Sequence, residues 1–398
     1  MKINIAVLFG GNSVEHEVSI ISALQAIKSM DREKYDIHPV YVTKGSEFYY
    51  GADLEEISAY KDIPALLKNC RQVTFYTKDK RTYLASVANG LFDKKIEIPV
   101  DVAFPIVHGT NVEDGTIEGY LNMLHIPYVG CDVMSSALCM DKYYSKIVLK
   151  NAGIPVLDGL RFAYNDSTDT HEICRTIESS FSYPVIVKPV NLGSSIGITK
   201  VSDLNELENA INNAFSYAEK IIVEPAVVNL KEVNCSVLGD TDGAEASECE
   251  SPVTTADGFL SYEDKYMDSG SGSKTGGSKG MASLKRKIPA DISDELREKI
   301  RQTSVEAFKE LGCSGVVRID FLIDEKTQEF WLNEINSIPG SLAFYLWKPL
   351  GIDYPELLDK MISLALKRAR MNEDITYSFD TNLLSSFSER GGAKGAKG

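Results

Sequence analysis

Two stretches toward the C-terminal end carry the densest chemistry in the chain. In Val316-Val317-Arg318-Ile319-Asp320-Phe321, successive side chains of an extended strand point to opposite faces. Arg318 and Asp320 therefore share one face, and Val317, Ile319 and Phe321 share the other. The same period in Leu332-Asn333-Glu334-Ile335-Asn336 puts Glu334 and Asn336 together. Glu329 opens this second strand after a turn over 324–328, so the two strands are expected to pair. Asp320, Glu334 and Asn336 then gather as hard oxygen ligands with Arg318 beside them. Such a set suits Mg²⁺ held together with substrate phosphates. A solvated strand face could carry similar residues. Two adjacent strands with one pattern, followed at once by Pro339-Gly340, favour the metal reading.

Lys188 and the loop Gly193-Ser194-Ser195-Ile196-Gly197 form a second group. Backbone N–H groups of a glycine-rich turn can cradle phosphate oxygens, and a nearby lysine adds charge. The loop lacks the GxxxxGK[ST] of a Walker A motif. Glycine turns are common, so it draws its weight from its partners. Met140-Asp141-Lys142 starts a helix with a lysine that, taken alone, reads first as a surface residue. In GGNSVEHEVS, from Gly10 to Ser19, Ser13 stands where a helix N-cap is expected, with Glu15 and Glu17 near the positive helix end. His108-Gly109 closes an apolar strand ahead of Glu113-Asp114-Gly115, a position that favours a site over a core histidine.

The elements that must position these residues follow from the pattern. An apolar strand at 3–9, the Gly10-Gly11 turn and a helix over 18–30 make a first α/β unit. Strands follow at 37–42, 100–107 and 128–129, while 51–95 reads as a variable insertion. A helix over 142–151 stops at Gly153 and Pro155. A second unit has strands at 182–189, 198–201 and 221–224 and a helix over 204–218. A third lobe has strands at 232–239, 315–323 and 329–336, and helices at 292–311 and 354–370. Residues 268–279 are rich in Gly, Ser and Lys and read as a mobile loop, and the tail 391–398 as disordered. The expected division is an N-terminal α/β domain over 1–139, a central lobe over 140–224, a C-terminal lobe with the metal and substrate site over 225–371, and a low-complexity tail over 372–398.

The chain has 398 residues and a net charge of −15. That length supports two or three domains with sizeable cores. The acidic balance argues against a nucleic-acid binder, which needs a basic face. It does not argue against ATP, which a few lysines and metal ions can hold. Seven cysteines, an odd number without a CxxC pair, read as buried thiols of a reduced protein. The apolar run at 3–9 is too short for a signal peptide, and no run approaches a membrane span. A cytoplasmic protein acting on small molecules is expected.

In their order and spacing, FGGNSVEHEVS, HGTNVEDGTIEG, YVGCDVMSSALCMDK, VIVKPVNLGSSIGITKV, YEDKY, GCSGVVRIDF and NEINSIPG resemble the D-alanine–D-alanine ligases of the ATP-grasp superfamily. The resemblance runs from about Lys2 to Arg370 and is weaker over 45–95. It implies an α/β chain with α+β lobes: a three-lobed ATP-grasp fold with an N-terminal Rossmann-like parallel-sheet domain. It implies ATP held between the central and C-terminal lobes, and a homodimer. It also implies a reaction in two steps for peptidoglycan precursor synthesis. ATP phosphorylates the carboxylate of one D-amino acid, and the amine of a second attacks the acyl phosphate. Carried over by motif, Lys142, Lys188, Ser194 and Ser195 would hold the phosphates. Glu224 would reach the adenine amino group and Glu232 the ribose. Asp320, Glu334 and Asn336 would hold two Mg²⁺ ions, with Mn²⁺ as a substitute. Glu15 would bind the ammonium of the first D-amino acid, beside His108. Arg318 and the main chain at Gly340 would stabilise the tetrahedral intermediate. Lys265 and Tyr266 would cover the site, with Tyr266, Ser194 and Glu15 hydrogen-bonded in a row.

Three departures concern the second substrate rather than ATP. Where the family has a serine for the second carboxylate, an ungapped reading of Ser341-Leu342-Ala343-Phe344-Tyr345-Leu346-Trp347 puts Tyr345. Val112 replaces a glycine in HGTNVEDG, and the covering loop is long. An alternative reading is therefore a ligase with another acceptor, such as D-serine. A nucleotide-binding protein without turnover would have lost Asp320, Glu334, Lys188 or Arg318, and all four are present. A dinucleotide-dependent oxidoreductase would need GxGxxG after the first strand, which Phe9-Gly10-Gly11-Asn12-Ser13 lacks.

Overall fold

The computed structural model describes residues 2–87, 95–165, 168–252 and 286–377. Lys265, Tyr266, the Gly/Ser/Lys-rich stretch and the tail 391–398 lie outside the described residues. Three sheets organise the rest.

The first has the order β6-β5-β4-β3-β2-β1-β7. Its strands are β1 (Ile3–Gly10), β2 (Tyr35–Val42), β3 (Phe48–Tyr50), β4 (Arg71–Lys78), β5 (Arg81–Ser86), β6 (Glu97–Val100) and β7 (Val102–Pro105). Only β2-β1-β7 run parallel. Ile5 to Phe9 are buried without alternation, as in parallel strands covered on both faces. Helices α1 (His16–Ser29), α2 (Ile63–Asn69), α3 (Thr116–Met123), α4 (Val133–Met140) and α5 (Lys142–Asn151) belong to this half of the chain. The stretch 51–95, expected as an insertion, contributes β4 and β5 to an antiparallel extension of the sheet. One face of that extension buries Val73, Phe75 and Leu84. The strand expected at 128–129 reduces to a single bridge from Tyr128 to Ala103.

The second sheet, β10-β9-β11-β8, is antiparallel. Its strands are β8 (Leu160–Ala163), β9 (Val185–Pro189), β10 (Thr199–Val201) and β11 (Lys220–Pro225). Helices α6 (Thr170–Ser180) and α7 (Leu204–Phe215) close a core with it around Val187, Ile211 and Val223. The third sheet has the order β14-β13-β12-β15-β16. It consists of β12 (Leu230–Gly239), β13 (Ala244–Pro252), β14 (Arg286–Lys287), β15 (Gly315–Asp324) and β16 (Phe330–Asn336). Helix α8 (Asp294–Glu310) backs it, and α9 (Tyr354–Glu373) ends the described chain, running past the expected boundary at 371.

Packing crosses the expected domain limits. Leu357, Leu358, Met361, Ile362 and Ala365 make a helical stripe on α9, and it joins the core of the first sheet. Each buried aliphatic side chain contributes about 1.5–3 kcal/mol, which ties this last helix to the N-terminal core. Leu149 of α5 and the following Ile154 pack into the core of the third sheet. The seven cysteines are free and buried. Among the described residues, no helix is long and apolar enough to cross a membrane.

Candidate active site

The third sheet presents a polar face. β15 and β16 pair as expected, with Asp320 opposite Glu334 and Arg318 opposite Asn336. The register extends the row outward, because Asn234 is the partner of both Asp320 and Glu250. Glu250, Asn234, Asp320 and Glu334 thus line up across four strands. Arg318, 8% exposed, grips Asp320 through Nε and Nη2, each at 2.7 Å. Asn336 donates its amide to Asp320 at 3.2 Å.

Among the described residues, no group of three or more His, Cys, Asp or Glu side chains is placed to hold a metal ion. The expected set is two carboxylates and one amide, and its donors fit Mg²⁺ when phosphate oxygens complete the shell. A cation between Asp320 and Asn336 would attract the amide oxygen, so the amide would turn over from the orientation seen here.

Three lysines approach this face. Asp141 caps α5, accepting from the amides of Tyr143 and Tyr144 at 3.0 Å each. That cap aims Lys142 inward. It is 4% exposed, donates to Leu192 O at 2.8 Å and pairs with Glu334 at 3.2 Å. The isolated reading of Lys142 as a surface residue therefore fails, because its burial comes from the second and third sheets. Lys146 lies one turn on, on the same helix face, and is also buried. Its ammonium pairs with Glu224. Lys188 on β9 reaches the other oxygen of Glu224 at 2.8 Å and Asn333 Oδ1 at 3.1 Å. Burial alone would push the Glu224 carboxyl up, but Lys146 and Lys188 outweigh it and hold it below the usual range. Burial brings Lys146 down to about 8 despite Glu224, and Lys188 adds to the drop. Glu224 is thus first a counter-ion for two lysines. Sequence reasoning missed Lys146, whose signal was its spacing of four from Lys142.

A neighbouring cavity is built from the N-terminal loops. Ser194 and Ser195 take left-handed φ values of 55° and 60°, uncommon for residues with a side chain. Ser194 is hydrogen-bonded to Glu15. A Cβ on Gly193 would lie 2.7 Å from Glu15 Oε2, so a larger residue there would push the carboxylate aside. Ser13 is not the N-cap of α1. It donates to His108 O at 2.5 Å and accepts from Glu15 N at 2.9 Å, fixing the Glu15 loop to the end of the apolar strand.

His108 is 3% exposed, and both ring nitrogens are engaged. Ile338 O, 2.7 Å from Nδ1, can only accept, so Nδ1 carries the proton. Nε2 then accepts from Ser22 Oγ at 3.1 Å, and Ser22 Oγ accepts from Ser341 N at 2.9 Å. Burial keeps the ring neutral, with its pKa lowered to about 4. His108 thus positions the turn at 338–341 while lining the cavity. Glu113 does the same from the other side, accepting from Gly109 N and Ile338 N at 2.9 Å and from Ser337 Oγ at 3.1 Å. Burial, and then Glu15, push its carboxyl up to about 7. Val112 packs on Gly11, where an added Cβ would fall 2.5 Å from Val112 Cγ1.

After Gly340 the chain makes a left-handed turn at Ser341, Leu342 and Ala343, with φ of 54°, 52° and 49°. The aromatic segment then divides its tasks. Phe344 stacks on Tyr354 at 4.4 Å. Trp347 is wholly buried and donates to Ser236 Oγ at 3.2 Å. Tyr345 turns to Glu250, donating its hydroxyl at 3.3 Å.

Two cavities result. One is lined by Lys188, Glu224, Glu232, Asp320 and Ser195, the other by Glu15, His108, Lys142, Ser194 and Gly340. Arg318 and Glu334 line both. Such a pair can hold a polyanion beside a small zwitterion, with a guanidinium at their junction.

Residues 4–131 match the family described as D-ala D-ala ligase N-terminus, and residues 148–363 the D-ala D-ala ligase C-terminus. The chain is 38% identical to a D-alanine–D-alanine ligase of Thermosipho melanesiensis, covering 96% of this chain and 98% of the relative. It is 39% identical to one of Acetivibrio thermocellus, covering 93% and 98%. Among solved structures, the D-alanine–D-alanine ligase of Coxiella burnetii superposes with a TM-score of 0.77 at 30% identity, covering 94% of this chain and 96% of that one. A D-Ala:D-Ser ligase from Enterococcus faecalis gives 0.75 at 32% identity, covering 92% and 100%.

Proposed function

The chain belongs to the D-alanine–D-alanine ligase family, and we infer that it joins two D-alanines into D-alanyl-D-alanine while ATP becomes ADP and phosphate. The observation that carries this reading is the meeting of the two cavities at Arg318 and Glu334. A carboxylate is a poor electrophile, so a phosphoryl donor must lie beside it, and two cavities with a common wall allow that. Similarity to D-alanine–D-alanine ligases over nearly the whole chain favours D-alanine over D-serine as acceptor.

In this reading the ammonium of the first D-alanine lies against Glu15, which Ser194 orients. Its carboxylate points to Arg318 and the main chain at Gly340. Lys142, Lys188 and the Ser194-Ser195 loop take the phosphates. Glu224 lies toward the adenine and Glu232 toward the ribose. Asp320, Glu334 and Asn336 would hold two Mg²⁺ ions, which supply Lewis acidity and offset phosphate charge. Arg318 stabilises the oxyanion that forms when the second amine attacks. The enzyme works as a cytoplasmic homodimer supplying a cell-wall dipeptide, with an N-terminal domain over 1–139 and the two ATP-grasp lobes over 140–224 and 225–371.

The acyl-phosphate route has an isotopic signature. With D-alanine labelled by ¹⁸O in its carboxylate, one labelled oxygen leaves with phosphate for each dipeptide formed. Label-free phosphate would contradict that route.

A further inference from the structure

Resting on the ligase reading, we propose that Arg286 receives the carboxylate of the acceptor amino acid, held in place by Glu250 and Tyr345. Arg286 lines the same cavity as Arg318 and Asp320. Its Nη1 pairs with Glu250 Oε2 at 2.5 Å, and its guanidinium lies 3.8 Å over the Tyr345 ring. Glu250 is 2% exposed, and its other oxygen accepts from Asn234 at 3.1 Å and from the Tyr345 hydroxyl at 3.3 Å. The guanidinium is thus fixed from behind by an ion pair and a ring, while its side chain keeps 10% exposure.

Charge accounting points the same way. Among the described residues, Lys142 and Lys188 serve the nucleotide end, and Arg318, paired with Asp320, serves the donor carboxylate. The acceptor is a zwitterion whose amine must reach the donor carbonyl at Arg318. Its carboxylate then needs a second cation farther along the wall. Among the described residues, Arg286 is the guanidinium that lines this cavity beside Arg318. Tyr345 stands where a carboxylate-binding hydroxyl was expected, but its hydroxyl is directed to Glu250. The acceptor contact passes from that side chain to the arginine stacked on it. Arg286 is therefore a binding residue, and Glu250 and Tyr345 are positioning residues.

D-Alaninamide tests this, because without a carboxylate it can act only as acceptor. The full-length enzyme is given ATP, D-alanine and D-alaninamide together, and the ratio of D-Ala-D-Ala to D-Ala-D-Ala-amide is read by mass spectrometry. A charged hydrogen-bonded contact is worth roughly a 10- to 100-fold preference. Arg286→Gln is expected to move the ratio toward the amide by that factor, with Arg286→Lys intermediate and KM for ATP unchanged. Tyr345→Ala, which frees the guanidinium, shifts the ratio the same way, whereas Tyr345→Phe keeps the stack and shifts it less. An unchanged ratio in Arg286→Gln overturns the proposal. So does a raised KM for ATP with an unchanged ratio, which would assign Arg286 to phosphate. If the wild-type enzyme makes neither product, the ligase reading itself fails, and the acceptor assignment with it.

Discussion

Glu224→Gln removes a charge while keeping the shape of the side chain. Glu224 is 1% exposed and holds two buried lysines, Lys188 at 2.8 Å and Lys146. The substitution leaves both ammonium groups without their counter-ion. Breaking a buried ion pair from one side costs roughly 3–5 kcal/mol. A stranded lysine can escape part of that cost by losing its proton. Burial already lowers Lys146 to about 8 from an ordinary 10.5. Between those values the unfolded chain binds the extra proton, so this group makes stability rise with pH across the window. Without Glu224 the folded pKa falls further and the window opens at lower pH. Urea unfolding at pH 7 and pH 9 reads both effects. The loss should be roughly 3–5 kcal/mol at pH 7 and smaller at pH 9. Adding Lys146→Met should recover part of it at pH 7, because one stranded charge is gone. A loss equal at both pH values, or untouched by the second substitution, refutes the counter-ion role.

Gly193→Ala places a Cβ 2.7 Å from Glu15 Oε2. Displacing a substrate-positioning group by about 1 Å can cost on the order of 10²-fold in rate, and steady-state kinetics should show it in D-alanine use rather than in ATP binding. His108 titrates at about 4 in the fold against an ordinary 6.5. Its stabilising contribution is therefore present above 6.5 and is lost as pH falls toward 4, about 3 kcal/mol over the window. Denaturation curves at pH 5 and pH 7 should show a steeper loss for the wild type than for His108→Gln; equal slopes would contradict it. Ser341 combines a φ of 54° with a buried hydroxyl that has no partner among the described residues. Ser341→Gly should stabilise the protein by roughly 1 kcal/mol, seen as a higher Tm, and a lower Tm would count against that strain.

What could be read from the sequence was what local alternation encodes. Arg318, Asp320, Glu334 and Asn336 sit in strands whose period of two puts them on one face, and the observed register agrees. Glu250 and Asn234 belong to the same cross-strand row, but they come from β12 and β13, and only pairing brings them to Asp320. Lys142 looked superficial because its cover, Leu192 O and Glu334, comes from distant segments. Ser13 carried an N-cap signal, yet His108 O and Glu15 N compete for its hydroxyl and win. The hairpin within 51–95 escaped notice because its strands are half exposed. The aromatic segment gave no local sign that Trp347 would enter the core while Tyr345 turned to Arg286.

The most direct test of the central claim is product analysis with purified enzyme, ATP, Mg²⁺ and D-alanine as the sole amino acid. Formation of D-alanyl-D-alanine with one ADP and one phosphate per dipeptide is the predicted result. ADP release without dipeptide, or dipeptide only when another amino acid is supplied, would contradict it.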